Sequence, residues 1–450
     1  MNKKWLQKSA CILLTVCMVQ GFTSCNKNPD ASSIVESIMA TDVLKIYRLY
    51  SNSAMPLAVK DFKERYFTTV EETVIMDPAE FSIRMNTELM AGQGPDVIIA
   101  DPSIFNSFHK TMNSGVFYDI NSFMENDNNF IPSEYNKTVL DSGIVEGKRL
   151  YIPLVYKVPC IWTVKSISDD SGLSSIIDNW TWQQLLDIGK SFVENSQSGK
   201  KRYIFSDDYS AKASHGFEGY AKIHYDAFQG LLQSSGLEFV DYEKKQSHFN
   251  SSQFISLLET LKELNDRSTP DDVLTSYKSG YYDQIKEKSL MAVCDDTGSI
   301  LTTGELSYIN SWTQNLTNED PVLYPFPTYG EGNKVMAEPL EIVAINSNSK
   351  NKKAAYDFIK LVLKRGGSVD GIPIDKATAE TMNPFYSPQP APLLLEQAKK
   401  IANNIGGCSI MDQGVRTFVM ESVDSFIKGD ITAKQAAEMI DNKVMLFLSE

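Results

Sequence analysis

Two rhythms of apolar residues alternate along the first hundred positions. Asp42–Tyr50 (DVLKIYRLY) alternates and is rich in β-formers, which predicts a first strand. Met55–Tyr66 carries Leu57, Val59, Phe62 and Tyr66 at helical spacing. Thr73–Met76 reads as a second strand. Pro78–Met90 reads as a helix with Phe81, Ile83, Met85 and Leu89 on its apolar positions, stopped by Gly92-Gln93-Gly94-Pro95. Asp96–Ala100 (DVIIA) is a continuous apolar run, the pattern of a strand covered on both faces of a parallel sheet. Strand, helix, strand, helix, strand in this order predicts an α/β lobe.

Further along, Tyr151–Lys165 is extended, with breaks at Pro153 and Pro159. Trp182–Phe192 is helical, with Thr181 placed to cap it. Phe228–Leu232, Phe254–Leu264 and Val273–Tyr282 read as helices. Leu290–Val293, Val322–Phe326 and Leu340–Ile345 read as strands. Lys352–Lys364 is amphipathic on Ala355, Phe358, Ile359 and Val362, and two tail helices cover about Val415–Ile427 and Ala433–Leu448. The prolines of Ser387–Pro392 mark a connection. There is no internal repeat.

Length and charge narrow the class. A chain of 450 residues exceeds a usual single core, so two lobes are expected. Acidic residues outnumber basic ones, 57 to 43, and an acidic surface repels phosphate backbones, which argues against nucleic-acid partners. The first residues have a different character. Lys3, Lys4 and Lys8 precede an apolar run from Ala10 to Val19 and the approach Gly21-Phe22-Thr23-Ser24 to Cys25. This is a secretory signal layout, too short to span a bilayer comfortably. With cysteine next, it resembles a bacterial lipoprotein signal. The resemblance implies cleavage before Cys25, lipid on its thiol, and a polar tether to about residue 40. Cys160, Cys294 and Cys408 then remain, too few for a disulfide framework, and free thiols are expected.

Four segments, in order, carry a wider resemblance. They are Ala91–Asp101 (AGQGPDVIIAD) with Phe105–Ile120; Tyr151–Tyr156 (YIPLVY) leading to Trp162 and Lys165; Ser289–Gly298 (SLMAVCDDTG) with Tyr324–Pro327 and Met336–Phe358; and Gly429–Leu448. In this order they resemble the extracellular solute-binding proteins of ABC importers, family 1, in their maltose-binding-protein-like, oligosaccharide-binding branch. Thr163-Val164-Lys165, Asp295-Asp296-Thr297-Gly298 and Glu338-Pro339 depart from the family pattern where ligand contacts usually fall.

The resemblance implies an α/β, two-lobed periplasmic-binding-protein-like fold of type II with a ligand cleft between lobes. Residues 1–24 would be the signal and 25–40 the tether. Residues 41–155 with 340–386 would form the N-terminal lobe, and 156–339 with 387–450 the C-terminal lobe. It also implies a monomer held at the membrane by Cys25, closing on a carbohydrate by hinge motion and delivering it to permease subunits, with no cofactor. Strand-end loops form such clefts. The candidate ligand residues are therefore Tyr50 and Ser51, Asp101 and Ser103, Tyr156 and Trp162, Asp295 and Asp296, Trp312, Glu338, and Asp412 with Arg416.

Other classes fit less of the chain. The acids at Asp101, Asp295, Asp296 and Glu338 also suit a cationic solute such as a polyamine. A sensor or adhesion lipoprotein of the same fold shares every feature above. A glycoside hydrolase needs two opposed carboxylates, and Asp295-Asp296 on a strand would point to opposite faces. No nucleophile-elbow, zinc-protease or phosphate-loop motif is present. His109, His215, His224 and His248 lack metal-ligand spacing, and the acidic turn around Asp127 lacks the EF-hand glycine.

Overall fold

The computed structural model describes residues 43–49, 55–176, 179–195, 202–205, 225–268, 301–302, 321–330, 332–365, 371–380 and 392–450. Besides two short hairpins (Ile144–Val145 with Lys148–Arg149, and Val240–Asp241 with Gln246–Ser247), the strands are β1 (Val43–Leu49), β2 (Thr69–Ile75), β3 (Val97–Ala100), β4 (Ile152–Lys157), β5 (Cys160–Val164), β6 (Leu301–Thr302), β7 (Pro321–Pro325), β8 (Met336–Ile345), β9 (Ile372–Pro373) and β10 (Gly407–Cys408). The main helices are α1 (Met55–Tyr66), α2 (Pro78–Met90), α3 (Phe108–Asn113), α4 (Trp182–Glu194), α5 (Tyr225–Ser234), α6 (Ser252–Asp266), α7 (Lys352–Arg365), α8 (Pro392–Asn403), α9 (Gln413–Lys428) and α10 (Ala433–Ser449).

A mixed sheet runs in the order β9-β4-β8-β3-β1-β2, with β10 paired to the start of β8. β1 pairs in parallel with β2 and β3, and β8 runs antiparallel to both β3 and β4. Alternation along these strands divides the core. Leu44, Ile46, Val97, Ile99, Val343 and Ile345 enter one cluster, with α1 and α7 through Phe62 and Phe358. Ile98, Ala100, Ile342 and Ala344 enter another, with Phe81, Met85, Leu89 and Phe108 from α2 and α3. Between these two layers β3 is buried on both faces, as its apolar run requires. Asp96, just before it, accepts from Lys45 N, Ser349 Oγ and Asn351 Nδ2, so the acid of the GPDV turn ties three segments together.

A second sheet, β6-β5-β7, is antiparallel. The chain leaves the large sheet for it across Val158-Pro159, between β4 and β5, and returns between β7 and β8. α4 carries a capping box made by Thr181 and Gln184 and packs on α6, which in turn packs on α10. Trp182, its first residue, and Trp180 just before it are fully buried. Val43–Glu450 is one contact-connected unit holding both sheets.

Several elements differ from the sequence expectation. β2 begins at Thr69, because a parallel partner in β1 offsets the charge of Glu71 and Glu72 on an edge strand. Ile83 is not a core position of α2: it is 69% exposed, while Phe81, Met85 and Leu89 are buried. Pro153 does not break β4; it lies within the strand. β8 starts at Met336 and runs through Pro339, where a shift in register to β4 accommodates the missing N–H. Helix α8 follows the proline run and was not expected. Cys160 and Cys408 are free thiols. Cys25, Cys294, the 1–40 segment and the elements expected at Val273–Tyr282 and Leu290–Val293 lie outside the described residues.

Candidate functional site

The two passages between sheets meet at one rung. Glu338 of β8 pairs in register with Lys157, the last residue of β4. Glu338 is 1% exposed, and its carboxylate is shared by three partners. Oε1 accepts from Arg416 Nη2 at 2.8 Å; Oε2 receives Lys157 Nζ and Gln233 Nε2, each at 3.3 Å. Arg416 comes from the first turn of α9 and Gln233 from the end of α5. Strand and helix ends thus bring five separated segments to one place once Asp101, at the end of β3, is included. A buried ion pair survives only with such added hydrogen bonds. Burial alone would raise the Glu338 pKa, but Lys157 and Arg416 outweigh it and hold the carboxylate below its ordinary value.

Asp101 caps a short 3-10 turn by accepting from Ser103 N at 2.8 Å. Burial raises its pKa; Lys157 and the Ser103 hydrogen bonds oppose that, and the Glu338 charge adds to it. Lys157 therefore lies within the influence of both carboxylates. The Oε1 of Gln233 is buried with no hydrogen-bond partner among the described residues.

Asp412 stands at the N-cap position of α9 but makes no cap bond to its own helix. Its Oδ1 instead accepts from Phe108 N at 2.9 Å, His109 N at 3.2 Å and the His109 ring Nδ1 at 2.9 Å. Its own N–H donates to the Tyr242 hydroxyl at 2.8 Å. The His109 and Tyr242 rings stack with centroids 3.5 Å apart and planes 3° from parallel. Burial, then the Asp412 charge, pushes the Tyr242 phenol well above its usual range. His109 and Tyr242 also line a cavity of about 650 Å³ with Glu238, His248, Cys408 and Ile410.

Of the residues singled out from sequence, Glu338 and Arg416 are brought together with Lys157, and Asp101, held by Ser103, is within the electrostatic influence of Lys157 and Glu338; Asp412, four residues before Arg416, is engaged instead with Phe108, His109 and Tyr242. Tyr156 is turned away from Lys157 by the alternation of β4. It is buried, its hydroxyl accepts from Asn136 Nδ2 at 3.1 Å, and burial pushes its pKa up to about 12. Trp162 pairs through its backbone with Leu323 in β7; its side chain lies outside the described residues, as do Tyr50, Ser51, Asp295, Asp296 and Trp312. Lys157, Gln233, Tyr242 and His109 were not singled out as ligand-site residues. Lys157 has a visible signal, a lone charge closing the buried run IPLVY; Gln233 is a polar residue within an apolar helical stretch. Among the described residues no cluster of three His, Cys, Asp or Glu side chains is placed to hold a metal ion. Nor is any described helix long and apolar enough to cross a membrane.

Residues 52–368 match the family model described as bacterial extracellular solute-binding protein. No curated protein sequence matches the chain. Among solved structures, the sugar-binding protein MalE from Xanthomonas citri is similar with a TM-score of 0.65 at 12% identity, covering 90% of this chain and 97% of that one. A periplasmic oligogalacturonide-binding protein from Yersinia enterocolitica gives 0.62 at 15%, covering 90% and 99%. A periplasmic solute-binding protein from Pectobacterium atrosepticum gives 0.61 at 18%, covering 91% and 99%. At these identities the likeness is one of fold, the two-lobed α/β architecture.

Proposed function

Because the chain belongs to the bacterial extracellular solute-binding proteins, we propose that it captures a carbohydrate in a cleft floored by the Glu338 cluster and hands it to an ABC permease. The carrying observation is the Glu338–Lys157 rung, which places the polar cluster where both passages between sheets meet. A solute touching both bodies there would stabilise the closed form and drive hinge closure. The proposed lobes are 41–155 with 340–386, and 156–339 with 387–450. The sugar-binding and oligogalacturonide-binding structures of the same fold support a saccharide. So does a floor of paired polar side chains suited to hydroxyl groups. The role is binding, not turnover: Glu338, held ionised between two cations, is unsuited to serve as a general acid.

A thermal-shift screen of the purified protein against oligosaccharides, monosaccharides, polyamines and peptides tests this reading, since a ligand of the native state raises the Tm. Stabilisation by saccharides is expected; stabilisation by peptides alone would overturn it. The second reading, a cationic solute, draws on the carboxylates of Asp101, Glu338 and Asp412. It is weaker because Glu338 is already neutralised by Lys157 and Arg416.

We also propose an anchor on Cys25, which raises the local concentration of loaded protein at its permease. Expressed from the full chain, Cys25→Ala should move the protein from the membrane fraction to the soluble extracytoplasmic fraction. Retention with membranes would remove the anchor from that residue.

A further inference from the structure

The edge of the larger sheet where β1 and β2 begin carries a surface that solute capture does not use. We infer that this edge lies against an anionic phospholipid surface, with Phe67 entering the headgroup layer; the inference rests on the Cys25 anchor proposed above. Val43 opens β1 and pairs in register with Thr69, which opens β2. Asn351 Nδ2, at the foot of α7, donates to Val43 O at 3.1 Å. The starts of two strands, the end of α1 and the foot of α7 therefore share one edge. The chain from Cys25 joins the described residues at Val43, so a lipid on Cys25 holds this edge closest to the bilayer.

Phe67 follows the last turn of α1. Its N–H donates to Lys63 O at 3.1 Å and its φ is +53°, the left-handed closing position where glycine is the default. The residue is 93% exposed. Neither backbone nor packing accounts for a phenyl ring there, and a bulky residue at positive φ is costly. Rings of this kind enter the headgroup boundary of membranes. Tyr66 beside it is also exposed, and so is Met90, which ends α2 before β3.

The charges suit the same surface. The chain carries a formal charge of -14, yet this edge is basic. Lys63 and Arg65 close α1; Lys350, Lys352 and Lys353 stand at the foot of α7; Lys45 lies near the start of β1. Against them stand the exposed acids Glu64 and Glu71. Asp357 links the two helices: it pairs with Lys353 at 2.6 Å and lies close enough to Tyr66 to add to the effect of burial on that phenol. Clustered cations beside an exposed ring are attracted to anionic headgroups. β1 and β3 run in parallel away from this edge, and the seven residues of β1 span about 20 Å. With the edge on the bilayer, the proposed cleft faces the medium, and the loaded protein turns to meet its permease.

The test uses the lipidated full-length protein on vesicles of phosphatidylcholine with or without phosphatidylglycerol. Phe67→Trp supplies a reporter ring. Brominated lipid should quench its fluorescence, above the wild-type background, on anionic vesicles. The extra quenching should fall at least about fivefold on pure phosphatidylcholine, and likewise in about 1 M salt, where charges are screened beyond about 3 Å. Adding Lys63→Glu and Lys350→Glu should lower it as much, with solute affinity and Tm unchanged. No extra quenching, or quenching indifferent to lipid charge, sinks the inference. So does emission already shifted to the blue without vesicles, since another part of the chain would then cover the ring. Phe67→Gly should leave the Tm level or raise it; a marked fall would show that the ring packs on the protein. Mass measurement of Cys25 decides the anchor separately. If no lipid is found there, the anchor reading falls, and with it the claim of the bilayer on this edge.

Discussion

Asp412 caps a helix that begins at Phe108, 304 positions earlier in the chain. The same carboxylate holds the His109 backbone and ring, and the Asp412 N–H reaches Tyr242. One acid therefore joins α3, the start of α9 and the turn between Val240–Asp241 and Gln246–Ser247. Asp412→Ala should lower stability by about 1–2 kcal/mol, the upper range for loss of a cap, with Asp412→Asn milder because it keeps an acceptor. Urea unfolding measures this. An unchanged midpoint for Asp412→Ala would mean that the contact contributes nothing.

Glu338→Ala leaves two cations without their buried partner and should cost about 3–5 kcal/mol. The wild-type pH profile carries the same signature. The Glu338 pKa is depressed from 4.5, and those of Asp127, Asp141 and Asp375 from 3.8, so the stability they contribute is present above those values and is lost as pH falls through the lowered pKa values. Asp101 and Glu238 are raised by burial and act oppositely, binding protons more readily when folded. The Tm should therefore stay level or rise slightly as pH approaches 4.5, then fall below it. A monotonic rise down to pH 3 would contradict the assignment of Glu338 as an ionised, paired group.

Asp101 lies within the electrostatic influence of Lys157 and Glu338 without anchoring the cluster, since its described hydrogen bonds are to Ser103. Asp101→Ala should weaken solute binding about tenfold or more while shifting Tm little, because no ion pair of the core is broken. Calorimetry showing wild-type affinity would move the solute elsewhere.

Gly230 of α5 is required by packing. A Cβ there would lie 1.8 Å from Phe326 Cζ, and Phe326 is fully buried against Trp182. Gly230→Ala should destabilise by about 1–3 kcal/mol through overpacking and shift the helix that presents Gln233. Wild-type stability would show that the ring has room to move.

Much of the scaffold was legible because it depends on local periodicity. The bounds of α1 and α2 follow from apolar spacing and from the stop at Gly92–Pro95. The tail helices are found within two residues at either end. The expectation failed where a neighbouring strand offsets local composition, as at Glu71-Glu72 in β2 and Pro339 in β8. Of the Glu338 cluster, Asp101, Glu338 and Arg416 are candidates from the sequence, because they stand beside apolar runs and not within them. Lys157 and Gln233 are not, because they close an apolar strand and an apolar helix that read as core.

From the order of its residues alone, this chain determines where strands and helices run, because burial of one face imposes a repeat that any short window displays. Which charges meet is settled only by the assembled sheet. Lys157 reaches Glu338 through the antiparallel register of β4 and β8, and Arg416 arrives on a helix from the far end of the chain. Coulomb attraction and hydrogen bonding act over a few ångströms, and distances of that kind between remote segments are set by packing, not by sequence spacing.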